Sequence, residues 1–170
     1  GSERANILID AGISGKRIGA SLNDIGISPK DIDCILVTHE HSDHIHGVGV
    51  MSRMFNIPVY ANNNTWNAME GMIGTIKDEN IKVLKNDEPF SIGDIDIKAY
   101  SIPHDAADPV GYCFWSGNKK ISIATDIGHA SENVLNNING SDLVLLESNH
   151  DIEMLKAGPY PYMLKRRILS

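Results

Sequence analysis

The chain has 170 residues, of which 42% are hydrophobic and 22% charged, a size and usage that suit one domain able to bury a substantial core. No apolar run approaches the roughly 20 residues that a bilayer-spanning helix needs, and no signal-peptide pattern is visible, so a cytoplasmic location and no membrane partner are expected. The formal net charge of −7 argues against a general nucleic-acid binder, whose footprint is basic; any attraction to a polyanion must be local.

In chain order, Asn6 to Ile9 reads as a strand closed by Asp10-Ala11-Gly12. Ile18, Leu22 and Ile25 form one stripe of a helix that Gly26 can end. Ser28-Pro29 signals a turn. The apolar run Cys34-Ile35-Leu36-Val37 predicts a buried strand. After a polar cluster, Ile45, Val48, Met51 and Phe55 recur at roughly helical spacing. Pro58 to Ala61 predicts a short strand. Trp66, Met69, Ile73 and Ile76 predict a helix whose aromatic and Met stripe packs into the core.

The texture then changes. Ile81 to Leu84 is a strand candidate. Phe90 to Ile92 and Ile95 to Ala99 alternate apolar and polar about Gly93-Asp94, a hairpin signal. Val110 to Trp115 and Lys120 to Thr125 pair in the same way about Gly117-Asn118. Val134, Leu135 and Ile138 mark a helix, Leu143 to Leu146 a buried strand, and Tyr160 to Leu169 a last helix. Leu36, Val37, Ile123, Val144 and Leu145 are the expected buried strand residues. Cys34 and Cys113 sit in apolar, strand-like runs and read as buried reduced thiols. Alternating helices and strands around an antiparallel middle predict a layered α/β domain.

The chemistry concentrates in Thr38-His39-Glu40-His41-Ser42-Asp43-His44. Three imidazoles and a carboxylate fall where a strand ends and a helix begins, so their side chains share a small volume. That is a donor set for a borderline-soft divalent cation. A polar loop that happens to be rich in histidine is the bland alternative, and four ligand-type residues in six positions argue against it. Further along, His104 follows Pro103 at a strand end and Asp126 follows the strand ending in Ala124-Thr125. Alone, each would read as a surface or turn residue; beside the cluster, each becomes a ligand candidate. His46 and His129 read as non-ligating. Lys165-Arg166-Arg167 is the one strongly basic run, either a solvated helix face or a track for phosphates.

The pattern H-x-H-x-D-H at residues 39–44 resembles the metallo-β-lactamase superfamily. The loop Ser101 to Tyr112, the Asp31-Ile32-Asp33 lead-in, Glu147-Ser148-Asn149-His150-Asp151 and Lys165 to Ser170 resemble one group within it, the YycJ/WalJ (VicX) proteins. The resemblance implies an αββα sandwich, two central mixed sheets flanked by helices, over a single domain spanning 1–170. It also implies a first metal held by His39, His41 and His104, a second held by Asp43 and His44, and Asp126 bridging the two. Two divalent ions are expected, with zinc, manganese and iron equally suited to histidine and carboxylate. Asp43 could also orient or deprotonate the attacking water, and His150 is expected to point into the cleft, in a catalytic or phosphate-binding role or equally in a structural one.

Members of the group look like DNA exonucleases acting from the 5′ end, which makes DNA the expected partner; a homodimer is left open. Composition and spacing alone stop at a metal-dependent hydrolase. Relatives carry an earlier strand and a later Gly-His-Leu-Ser motif whose histidine completes the second site. The chain is therefore expected to be a fragment with an incomplete C-terminal part, holding one ion better than two and turning over slowly. Two rivals stay open: a hydrolase of the same fold acting on a thioester, lactone or lactam, and a metal-binding regulatory domain without turnover. The basic run and the loop around His104 favour the nuclease; the acidic charge keeps the rival hydrolase alive, and the histidine expected to be missing keeps the regulatory domain alive.

Overall fold

The computed structural model describes residues 1–147, 152–163 and 165. The first half builds β1 (Ile7–Ile9), α1 (Gly15–Asp24), β2 (Cys34–Leu36), α2 (Ser42–Ile45), α3 (Val48–Phe55), β3 (Val59–Asn62), α4 (Asn63–Met69) and β4 (Ile81–Leu84). Each strand is followed by a connection that carries it back to the same end, so β1, β2, β3 and β4 pair side by side and in parallel. This sheet is parallel throughout its described strands, which corrects the expectation that both sheets are mixed.

The second half builds β5 (Phe90–Ile92), β6 (Ile95–Ser101), β7 (Val110–Ser116), β8 (Lys119–Ala124), α5 (Glu132–Ile138), β9 (Leu143–Leu146) and α6 (Ile152–Ala157). Two-residue turns join β5 to β6 and β7 to β8 and a longer loop, residues 102–109, joins β6 to β7, so that β5 to β8 form an antiparallel meander; α5 then carries the chain across so that β9 joins β8 in parallel. This second sheet is mixed.

Period-two alternation sorts the strand residues into layers. Ile35 and Val37 face the α1, α3 and α4 side, packing with Ile18, Val48, Met51 and Met69. Cys34 and Leu36 face the other way, onto Ile97, Ala99, Tyr112 and Phe114 of the second sheet. The far face of that sheet, through Tyr100 and Cys113, meets Val134 of α5. The order is helices, sheet, sheet, helix, the expected αββα sandwich. The buried Tyr112 hydroxyl crosses the sheet interface to donate to the Val37 carbonyl at 2.7 Å, fixing the end of β2 where the polar cluster begins.

Three further expectations are corrected. Ile25 lies beyond the end of α1 and is 70% exposed, so the stripe ends at Leu22. The Trp66 stripe is helical only to Met69; Ile73 and Ile76 fall in irregular chain yet pack into the same core. Leu36 and Val37 are fully buried, but Ile123 is half-buried and Val144 and Leu145 are 37% and 57% exposed. The reason is position: among the described residues β9 pairs with β8 alone, at the edge of its sheet, and all four of its residues are exposed. Helix α6 was not anticipated. Of the expected last helix, residues 162, 163 and 165 are helical; the rest of that stretch falls outside the described residues or its regular structure.

Candidate metal centre

The centre gathers at the carboxyl ends of β1, β2, β6 and β8. From β2 the chain runs into Thr38 and His39, both buried. His41 has extended backbone and caps α2, so Asp43 and His44 fall in that helix's first turn. The return from β6 brings His104, and the end of β8 brings Asp126 in a left-handed conformation, φ 54°. Gly12 lets the loop after β1 press against α2: a Cβ there would lie 1.5 Å from the Asp43 carbonyl oxygen.

Three ring nitrogens converge. His39 Nε2 lies 3.1 Å from His41 Nδ1, and His104 Nε2 lies 3.2 Å from the same atom. Three imidazoles on a tetrahedral zinc at about 2.0–2.1 Å would hold their nitrogens about 3.3–3.4 Å apart, so the donor set and its spacing fit a divalent ion. Beside it, His44 Nε2 stands 3.1 Å from Asp126 Oδ2, and His39, His44 and Asp126 form a second convergent group. The Asp43 carboxylate sits 3.9 Å from His44 Nε2 with its side chain 80% exposed, at the mouth and outside both groups.

Asp10, which the sequence reading used only as a strand terminator, is the hub beneath these rings. Its Oδ1 accepts from the Thr38 amide at 2.8 Å, and its Oδ2 from the Thr38 hydroxyl at 2.7 Å. His44 Nδ1 also meets Asp10 Oδ2, at 2.8 Å. The His44 proton is thereby fixed on Nδ1, leaving Nε2 to face Asp126. The Thr38 hydroxyl, having given its proton to Asp10, can only accept from His39 Nδ1, 3.0 Å away. That leaves the His39 lone pair on Nε2, the atom facing His41. The signal for Asp10 was a carboxylate ending the strand that pairs with β2. Glu147 was likewise missed as a support: its carboxylate accepts from the Asp126 amide and holds the left-handed turn.

Electrostatics divide the histidines. Burial, reinforced by His44, His104 and His41, pushes His39 down to about 3. Burial also lowers His104. For His44 burial pulls down, but the hydrogen bonds it donates to Asp10 and Asp126 and the charges of those carboxylates outweigh it, raising it to about 10. Asp126 is lowered chiefly by its hydrogen bond from His44. His39 and His104 are thus held neutral with a lone pair to donate, while His44 in the second group holds a proton where a cation would sit.

Among the other candidates, His46 and His129 are exposed and outside both groups. Lys165 turns back to donate to the Lys156 carbonyl at 2.6 Å. His150, Arg166 and Arg167 lie outside the described residues. None of the described helices is long and apolar enough to cross a membrane.

A family described as the beta-lactamase superfamily domain matches residues 5–161. The chain belongs to the metallo-β-lactamase superfamily. As a superfamily member it is 44% identical over 170 residues to Exodeoxyribonuclease YycJ of Bacillus anthracis, covering 100% of this chain and 64% of that protein. It is 41% identical over 171 residues to Exodeoxyribonuclease WalJ of Streptococcus pneumoniae, covering 99% of this chain and 64% of that one. The chain thus spans just under two thirds of the length of these relatives. The metallo-β-lactamase GOB-18 from Elizabethkingia meningoseptica shares the fold, with a TM-score of 0.62 at 19% identity over 73% of this chain and 52% of that structure. The superfamily fold usually holds divalent metals, and the two convergent groups are where this chain offers donors for them.

Proposed function

We propose that this chain acts as a divalent-metal-dependent phosphodiesterase that degrades DNA from the 5′ end. The observation that carries the reading is the convergence of His39 Nε2, His41 Nδ1 and His104 Nε2 beside the His44–Asp126 pair. The names of the two relatives, both exodeoxyribonucleases, support DNA among the substrates the fold can serve. His39, His41 and His104 would hold the first ion; His44 and Asp43 the second, with Asp126 between them. Zinc, manganese and iron all suit this donor set. A bound ion pair would supply a nucleophile from water at neutral pH and charge stabilisation for both the attacking and the leaving oxygen of a phosphodiester.

The chain's own residues do the rest. Asp10 and Thr38 set the tautomers of His44 and His39 and hold both rings in place. Asp43, exposed at the mouth and close to His44, is placed to take a proton from water or to orient it. His150 and the Lys165–Arg167 run stay proposals for phosphate contact; Lys165 must release the Lys156 carbonyl to reach one.

The test is degradation of oligonucleotides labelled at the 5′ or 3′ end, with 5′-phosphate and 5′-hydroxyl ends compared and manganese, zinc and iron varied. A thioester and a lactam run alongside. The reading expects metal-dependent shortening from the 5′ end that chelator and His104→Ala abolish. Turnover of the thioester or lactam with intact DNA, or firm metal binding with no turnover of any substrate, would replace it with one of the rival functions. Because the chain covers only part of its relatives, the assay is run on this chain and on a full-length relative in parallel.

A further inference from the structure

His104 reaches the triad from an irregular loop, residues 102–109, yet its Nε2 must be held to a fraction of an ångström to share an ion with His39 and His41. Several bonds pin this loop. The Val110 amide donates to the Thr38 carbonyl at 3.0 Å, and the Gly128 amide to the Pro103 carbonyl at 2.7 Å. On the side away from the cluster, the Asp108 carboxylate accepts from Asn64 Nδ2 at 3.1 Å and Asn86 Nδ2 at 3.0 Å. Asn62 Nδ2 donates to the Asp108 carbonyl at 2.7 Å. Asp108 therefore fastens the loop to the start of α4 and to the link after β4.

The other fastening comes from inside the motif. Glu40 separates His39 from His41, and its side chain belongs to neither group of converging donors. Its Oε1 accepts from the Ala107 amide at 2.9 Å, three residues after His104. Its Oε2 is buried and has no hydrogen-bond partner among the described residues. A buried carboxylate oxygen left bare is unfavourable, and a small apolar residue would fill the place without that cost. What an apolar residue cannot do is accept the Ala107 amide.

We propose that Glu40 is a positioning residue for His104: through the Ala107 amide it locks the 104–108 loop onto the H-x-H segment and sets the third nitrogen of the triad. This rests on the reading of His39, His41 and His104 as the first ion site. The motif then has two functions in three consecutive residues, with His39 and His41 offering nitrogens to the ion and Glu40 holding the loop that delivers the third donor.

The test uses the whole chain with Glu40→Ala and Glu40→Gln. Cobalt(II) is titrated and followed by its visible absorption, and exchange of the Ala107 amide is followed by NMR. A glutamine oxygen can accept the same N–H without the charge. Glu40→Ala is expected to weaken the first cobalt by about 10–100-fold, the usual effect of removing a support behind a ligand. It should also speed Ala107 exchange. Glu40→Gln should restore both to within a few-fold of the original. Cobalt binding unchanged in Glu40→Ala, or Glu40→Gln no better than alanine, overturns the proposal. If Glu40→Ala does not fold, the unaltered protein still decides: a protected Ala107 amide supports the lock, and exchange as fast as in an open loop overturns it. An unaltered protein that binds no cobalt would instead sink the ion-site reading, and the lock's purpose with it.

Discussion

Replacing Asp10 with asparagine changes one atom and should disable two ligands. The buried Thr38 amide must keep an acceptor, so the new side chain places its oxygen where Oδ1 was. Its NH₂ then occupies the place of Oδ2, facing the Thr38 hydroxyl and His44 Nδ1. A donor there forces His44 to accept at Nδ1, which moves the ring proton to Nε2, the atom facing Asp126. The Thr38 hydroxyl, now accepting from the amide, is free to donate to His39 Nδ1 and pushes that ring's proton to Nε2 as well.

Each ion therefore meets a proton where it needs a lone pair. Affinity should fall by about 10–100-fold at each site, the range for lost support behind a histidine ligand. Asp10→Ala goes further, because it leaves the Thr38 amide buried without its partner and removes the charge facing His44. It should cost the metal-free fold about 2–4 kcal/mol, from an orphaned donor and lost charge-assisted bonds. The assays are metal titration of both variants, nitrogen NMR of the imidazole tautomers, and denaturant unfolding in chelator. Asp10→Asn binding both ions as tightly as the original, with His44 still protonated on Nδ1, would refute the reasoning.

Metal uptake should carry a pH signature. His44 is raised to about 10 in the metal-free protein, so an ion taking its Nε2 must displace a proton, and second-ion affinity should climb by up to tenfold per pH unit between about 6.5 and 10. The first ion should be far less sensitive between pH 6 and 8, because His39 is held down near 3; calorimetry in buffers of different ionisation enthalpy counts the protons. In the metal-free protein the same shifts act on stability. The His44 contribution is full below pH 6.5 and lost as pH rises through about 10, whereas neutral burial of His39 destabilises the fold as pH falls from 6.5 towards 3. In the sheets, Leu36→Ala should cost about 2–5 kcal/mol from full burial, while Leu145→Ala, at 57% exposed, should cost less than about 1 kcal/mol; denaturant midpoints compare them.

What was legible from the sequence was local. The apolar run into His39 and the alternation about Gly93-Asp94 each encode their own geometry within a few residues, and the structure places β2, β5 and β6 there. The ligand candidates were legible because four of them crowd one segment. The roles of Asp10 and Glu40 were not, because each depends on a partner far along the chain, His44 or Ala107, brought close only by strand pairing and sheet packing. Periodicity also misled where the chain returned to a core without staying helical. Gly71 and Gly74, at φ 76° and 69°, break α4's path, yet Ile73 and Ile76 still find the core that Met69 occupies. The run Leu143 to Leu146 states that the strand is apolar but not what packs against it, and so its burial was misjudged.

The central claim is that His39, His41 and His104 share an ion with His44 and Asp126 beside it. X-ray absorption of the zinc-loaded chain tests this most directly, comparing the unaltered protein with His104→Ala at one equivalent of metal. The account predicts nitrogen ligands at about 2.0–2.1 Å, with the multiple-scattering signature of three imidazoles, falling to two in His104→Ala. An imidazole count that does not change on removing His104, or a shell of oxygens alone, would contradict it.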